Sequence, residues 1–195
     1  MILLAGPNGA GKTSLYETRL AQWFPGLPFI NADRIAAVRW PGEQQDHAYA
    51  AARIATELRT LLIEEGRSFI TETVFSHPSK LELIEQALER DYEVWLLVVY
   101  VDTEVAVERV RYRMDGGGHS VPEERIRARH QRLLRHLANA LPLVQRAILF
   151  DNNPPGRGHR AVARIEGDRI IPAMNPLPAW AQLLLRRKGN NKLSV

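Results

Sequence analysis

Cysteine is absent from all 195 residues, which excludes a disulfide framework, a thiolate metal site and a cysteine nucleophile, and fits a reducing compartment. No apolar run approaches the roughly 20 residues that span a bilayer, so no membrane helix is expected. A glycine-rich segment is reached by residue 6, too early for a signal peptide ahead of it, and a cytoplasmic protein is the expectation. Aromatic residues are scarce at 7%, yet a hydrophobic content of 45% suffices for a buried core. There is no internal repeat and no low-complexity linker. The length suits one domain, residues 1–187, with a polar tail, 188–195, expected to be disordered. Acidic residues are thin in one place. Between Arg109 and Arg135 eight arginines meet only Asp115, Glu123 and Glu124, although the net charge is just +4.

What the chain does have begins at once. Ile2-Leu3-Leu4-Ala5 is an apolar run feeding Gly6-Pro7-Asn8-Gly9-Ala10-Gly11-Lys12-Thr13-Ser14, the pattern G-x-x-x-x-G-K-[ST] of a phosphate-binding loop, followed by a segment that can be helical. Glycines let the backbone turn its N–H groups inward, and the positive end of the next helix adds to that cradle. Lys12 is expected to bridge the β- and γ-phosphates of ATP and the Thr13 hydroxyl to hold Mg²⁺. The arginine-rich stretch then has two readings, a nucleic-acid surface or a lid over a triphosphate, and the loop favours the lid.

Further along, apolar spacing predicts a helix over 13–24, stopped by Pro25-Gly26, and a short strand over 28–30 that ends at Asn31-Ala32-Asp33. Asp33 is placed to accept a proton from a hydroxyl, or equally to cap the helix that follows. A packing helix is expected over 46–65 and a strand over 68–73, which closes on a second carboxylate, Glu72. A helix over 77–90 precedes the strongest strand signal, Val94 to Val101, an unbroken apolar run suited to burial on both faces. Asp102 at its end either caps the next helix or competes with Glu72 as a metal-linked acid. That helix carries Arg109, Arg111 and Arg113 and runs into Gly116-Gly117-Gly118-His119, the composition of a hinge. Ser120-x-x-Glu123 reads as a capping box with Pro122 in the first turn of a second arginine-bearing helix. A strand over 147–151, a hairpin around Glu166-Gly167-Asp168 and a last amphipathic helix over 178–187 complete the chain.

Strands alternating with helices, the first carrying a phosphate loop, imply a three-layer α/β fold of the P-loop NTPase or kinase type. The expected sheet is mostly parallel and five-stranded, with a helical lid over about 109–135 and a small C-terminal β-hairpin. At the carboxyl ends of its strands Lys12, Asp33 and Glu72 converge.

The segments Gly6 to Thr13, Asn31-Ala32-Asp33, Phe69 to Ser76, Ala106 to Arg109, Gly117 to Pro122 and Phe150-Asp151-Asn152 together resemble the zeta-toxin family of P-loop kinases, especially its chromosomal "predicted ABC-type ATPase" branch. The resemblance implies transfer of the γ-phosphoryl group of ATP to the sugar 3′-hydroxyl of UDP-N-acetylglucosamine, and an antitoxin protein as candidate partner. It implies Asp33 as general base, Glu72 with the adjacent Thr73 as sugar-contacting residues, and Arg109 or Arg113 as the lid arginine. His119 stands where the family has its second lid arginine, and Val74 where it has a sugar-binding threonine. The alternatives are an ATPase without a small-molecule acceptor and a nucleic-acid-end kinase using the arginine-rich lid. Against the first, the chain has no L-S-G-G-Q segment and no adjacent Asp-Glu after a strand; N-K-x-D, the guanine-recognition motif, is also missing. Neither nucleic acid nor membrane is expected as a partner.

Overall fold

The computed structural model describes residues 1–115, 122–154 and 156–186, the side chains of 113–115 excepted. Strand β1 (Ile2–Ala5) leads through the loop into helix α1 (Lys12–Leu15), a π-helical turn (Tyr16–Leu20) and α2 (Ala21–Trp23). One continuous α-helix was expected here; in the widened turn Tyr16 instead lies flat on Phe29, ring centroids 3.7 Å apart. There follow β2 (Phe29–Ile30), α3 (Ala32–Arg39), α4 (Ala48–Glu64), β3 (Ile70–Thr73), α5 (Ser79–Leu88) and β4 (Trp95–Tyr100). The chain continues with α6 (Thr103–Asp115), α7 (Glu123–Ala140), β5 (Arg146–Asp151), β6 (Arg160–Glu166), β7 (Arg169–Pro172) and α8 (Ala179–Arg186). The glycine hinge, Ser120 of the capping box and the polar tail lie outside the described residues.

One sheet has the order β2-β3-β1-β4-β5-β6-β7. The first five strands in that order are parallel, as their apolar runs require; β6 then adds antiparallel to β5, and β7 antiparallel to β6. The expected five-stranded sheet is thus corrected to seven strands: the hairpin pairs along the whole of β5 and extends the sheet. Alternation sends Leu3 and Ala5 to one core and Ile2 and Leu4 to the other, because successive side chains of a strand point to opposite faces. The same split along β4 gives Leu96 and Val98 to the first core and Leu97 and Val99 to the second. Burial on both faces makes three layers, and each such leucine contributes about 1.5–3 kcal/mol. No helix among the described residues is long and apolar enough to cross a membrane.

The central strand β1 has β3 on one side and β4 on the other. Connections leave it in opposite directions, and the crevice this opens lies beyond its carboxyl end, where the loop sits. Leu4 is level with Glu72 in the parallel register, so the β3 carboxylate emerges beside the start of the loop.

Candidate active site

The loop is fixed by close approach and by side chains from distant segments. A Cβ on Gly6 would strike the Val99 carbonyl oxygen, and Gly11 combines a φ of +87° with an imagined Cβ only 2.7 Å from Asn152 Nδ2. Neither position tolerates a side chain without movement of its surroundings. Four loop carbonyls are taken up in turn. Lys12 Nζ donates to Pro7 O at 2.9 Å, Arg109 to Gly9 O at 3.2 Å, and Asn152 Nδ2 to Ala10 O at 2.8 Å. His159 Nε2 lies 2.9 Å from Gly11 O and serves as its donor. Burial lowers the pKa of His159 against the opposing effect of this carbonyl, and the charges of Arg19 and Arg109 lower it further, which favours the neutral ring. With the carbonyls occupied, the N–H edge of the loop and first helical turn is left for an anion.

Glu72 gathers the site. Its Oε2 accepts from the Thr13 hydroxyl at 2.9 Å and from Asn31 Nδ2 at 3.0 Å, and its Oε1 is 3.7 Å from the buried Lys12 ammonium. Hydroxyl and carboxylate oxygens side by side are the hard donors that magnesium prefers, completed in kinases by phosphate oxygens. No cluster of three or more His, Asp or Glu that could hold a metal ion occurs among the described residues. Asp102, the rival acid, is exposed, and its N–H donates to Asn153 Oδ1 at 3.1 Å. Its carboxylate helps burial raise the Tyr100 pKa.

Asp33 is not the cap of α3. Asn31 caps it, its Oδ1 accepting from the Arg34 amide at 3.0 Å, which places Asp33 within the first turn. Asp33 is exposed, and among the described residues no hydrogen bond or ion pair engages its carboxylate. It lines a cavity of about 320 Å³ with Glu72, Thr73 and Arg129. Thr73 Oγ1 accepts from the Phe75 amide at 3.2 Å, steadying a turn in which Phe75, wholly buried, has a φ of +58°. A bulky residue in that region costs about 1–3 kcal/mol and persists only where packing holds it.

The arginine stretch divides by contact. Arg109 bonds the loop and Asn152 O, the latter at 2.9 Å. Arg127 pairs with Glu104 and Glu123, and Arg111 with Glu123. The expectation of a stretch without matching acids is therefore corrected: Glu104, just outside it in sequence, reaches back across the two helices. Arg132 donates to Ser76 O at 3.3 Å, while Arg129, alone among the described side chains of the stretch, lines the cavity, its guanidinium 3.5 Å from Asn8 Oδ1 of the loop. The Arg113 side chain and His119 lie outside the described residues. Sequence reasoning missed Arg129 and His159. The first is one of eight similar arginines, and the second is 148 positions from its partner Gly11.

A phosphate loop on a central parallel strand, with a strand-tip acid on its threonine, defines a P-loop kinase fold. The chain belongs to the zeta-toxin family, whose model, described as Zeta toxin, matches residues 42–154. The phosphate loop and Asp33 precede the matched span. Among solved structures, a chain of the AvrRxo1-ORF1:AvrRxo1-ORF2 complex with sulphate ions is similar at 16% identity and a TM-score of 0.65, over 100% of this chain and 65% of that one. The chain thus spans just under two thirds of that relative's length. A chain of the PezAT chromosomal toxin–antitoxin system of Streptococcus pneumoniae is similar at 16% identity and a TM-score of 0.64, over 84% of this chain and 71% of that one. The AvrRxo1 complex with ATP gives 14% identity and a TM-score of 0.61, again over 100% and 65%. At these identities the likeness establishes the fold. No curated protein matches the sequence.

Proposed function

We propose that this chain is an ATP-dependent kinase that transfers the γ-phosphoryl group to a hydroxyl of a small molecule held beside Asp33. A nucleotide sugar such as UDP-N-acetylglucosamine is the acceptor that family membership suggests. The observation that carries the reading is the meeting of Lys12, Thr13 and Asn31 on Glu72, next to a cavity lined by an exposed Asp33 whose carboxylate has no partner among the described residues. Phosphoryl transfer asks mainly for positioning and charge neutralisation. Loop amides and Lys12 would hold the β- and γ-phosphates. Magnesium, when bound, supplies charge neutralisation between those phosphates, and Thr13 and Glu72 are the residues that would hold it. Asp33 accepts the acceptor's hydroxyl proton as the new O–P bond forms and the bond from phosphorus to the bridging oxygen breaks, its electrons leaving with ADP. The arginine that neutralises the transferring group is Arg109 or Arg113, as the family resemblance implies, or Arg129, which lines the cavity and approaches Asn8 of the loop.

The PezAT structure is of a toxin–antitoxin system, and an antitoxin protein is accordingly the partner we propose here. The function is tested by incubating the protein with γ-labelled ATP, Mg²⁺ and a panel of nucleotide sugars, nucleotides and oligonucleotides. Label on a sugar hydroxyl is expected; label only on oligonucleotide ends, or only released phosphate, would overturn the reading.

A further inference from the structure

Arg59, on α4, is 6% exposed and lines the same cavity as Asp33 and Glu72. Its guanidinium donates only to hydroxyls, Thr56 Oγ1 at 2.9 Å and Thr71 Oγ1 at 3.4 Å, and the Thr71 hydroxyl is itself committed to Ile30 O at 3.0 Å. No ion pair reaches Arg59 among the described residues. Lys80, in the first turn of α5, lines the cavity too and is equally without an ion pair among them. Burial and then the charge of Arg59 lower the pKa of Lys80, with Glu82 opposing.

A buried cation without a counterion is costly, and two within each other's field are costlier. The acids of the cavity do not answer this charge: Glu72 is engaged by Lys12, Thr13 and Asn31, and Asp33 is exposed and pairs with neither cation among the described residues. Arg129 adds a third positive group. Along α4 the cavity is lined beside Arg59 by Ala48, Ala52, Ala55 and Thr56, all small side chains.

We propose that Arg59 and Lys80 form an oxyanion subsite inside the acceptor cavity, so that the acceptor carries a phosphate or carboxylate group seated on these cations while its hydroxyl faces Asp33. The hydroxyl half rests on the kinase reading; the anion half does not. A neutral sugar would leave both cations uncompensated and is excluded as a good acceptor.

The full chain, saturated with Mg²⁺ and the non-hydrolysable ATP analogue AMPPNP to fill the phosphate loop, is titrated with inorganic phosphate by calorimetry. A second binding event is expected, weakened at least about tenfold in Arg59→Gln and in Lys80→Gln, with AMPPNP affinity unchanged in both. Lys80 is only half-buried, so its variant serves even if Arg59→Gln fails to fold. Competition by UDP or by glucose 6-phosphate then separates a nucleotide diphosphate from a compact sugar phosphate, and glucose itself should not compete. No second event in the wild type, or one of equal affinity in Lys80→Gln, would overturn the subsite. Failure of the wild type to bind AMPPNP would sink the kinase reading instead, while phosphate binding compared between wild type and Lys80→Gln would still decide the subsite.

Discussion

Glu72 is one side chain with three partners, and the chemistry proposed here turns on it. Glu72→Gln keeps its shape but removes the charge that Lys12 and Thr13 face. Turnover should fall about 10²–10³-fold, the scale of losing one preorganised electrostatic group, with weaker binding of ATP with Mg²⁺ by calorimetry. Arg129→Ala is expected to lower kcat on the order of 10³-fold if it bears on the transferring phosphoryl; a normal kcat in steady-state kinetics would shift that role to Arg109 or Arg113. Glu72 was legible in the sequence as an acid closing a strand beside a phosphate loop, but Asp102 gave the same signal, and only the contact of Glu72 with Thr13 separates the two. Arg129 was not, since its selection among eight arginines depends on how α7 is rotated against the sheet. Asp33 was legible only as a choice between base and cap, and it took the Asn31 cap to remove one of the two.

The loop and α1 are held as an element by carbonyl contacts from α6, from the β5–β6 connection and from Lys12 itself. Gly11→Ala should cost about 1–3 kcal/mol from backbone strain alone, read by chemical denaturation, and should weaken ATP binding more than the stability loss explains. His159 adds a pH signature. Its folded pKa lies below the ordinary 6.5, so on acidification the unfolded chain takes up the proton first. Stability is then full above about 6.5 and declines as pH falls toward the lower folded value. His136, also lowered, chiefly by burial, adds to the same slope. Denaturation midpoints for His159→Gln should show a shallower decline; an unchanged slope would remove His159 from the loop's support. Helices and parallel strands were readable from local apolar spacing: α4 ends at Glu64, one residue short of the expected 65, where the Arg67 amide bonds Leu62 O at 2.9 Å. The attachment of the β6–β7 hairpin to the sheet through β6 and β5 was not, because strand pairing is a non-local choice that hairpin composition does not encode.

The whole molecule sets two cores against one sheet and directs every proposed reacting group to the carboxyl end of its strands. Its positive charge is less available to a polyanion than the sequence suggested, since Arg111 and Arg127 are engaged by Glu104 and Glu123. Oligonucleotide binding should accordingly be weak and activity on small acceptors only mildly salt-dependent; a steep fall of log affinity with log salt would favour a nucleic-acid substrate. The most direct test of the account compares wild type with Asp33→Asn for transfer of label from γ-labelled ATP to a sugar acceptor, with ATP affinity measured on both. The account predicts intact ATP binding and a loss of transfer of about 10²–10⁴-fold in the variant. Near-normal transfer by Asp33→Asn would contradict it.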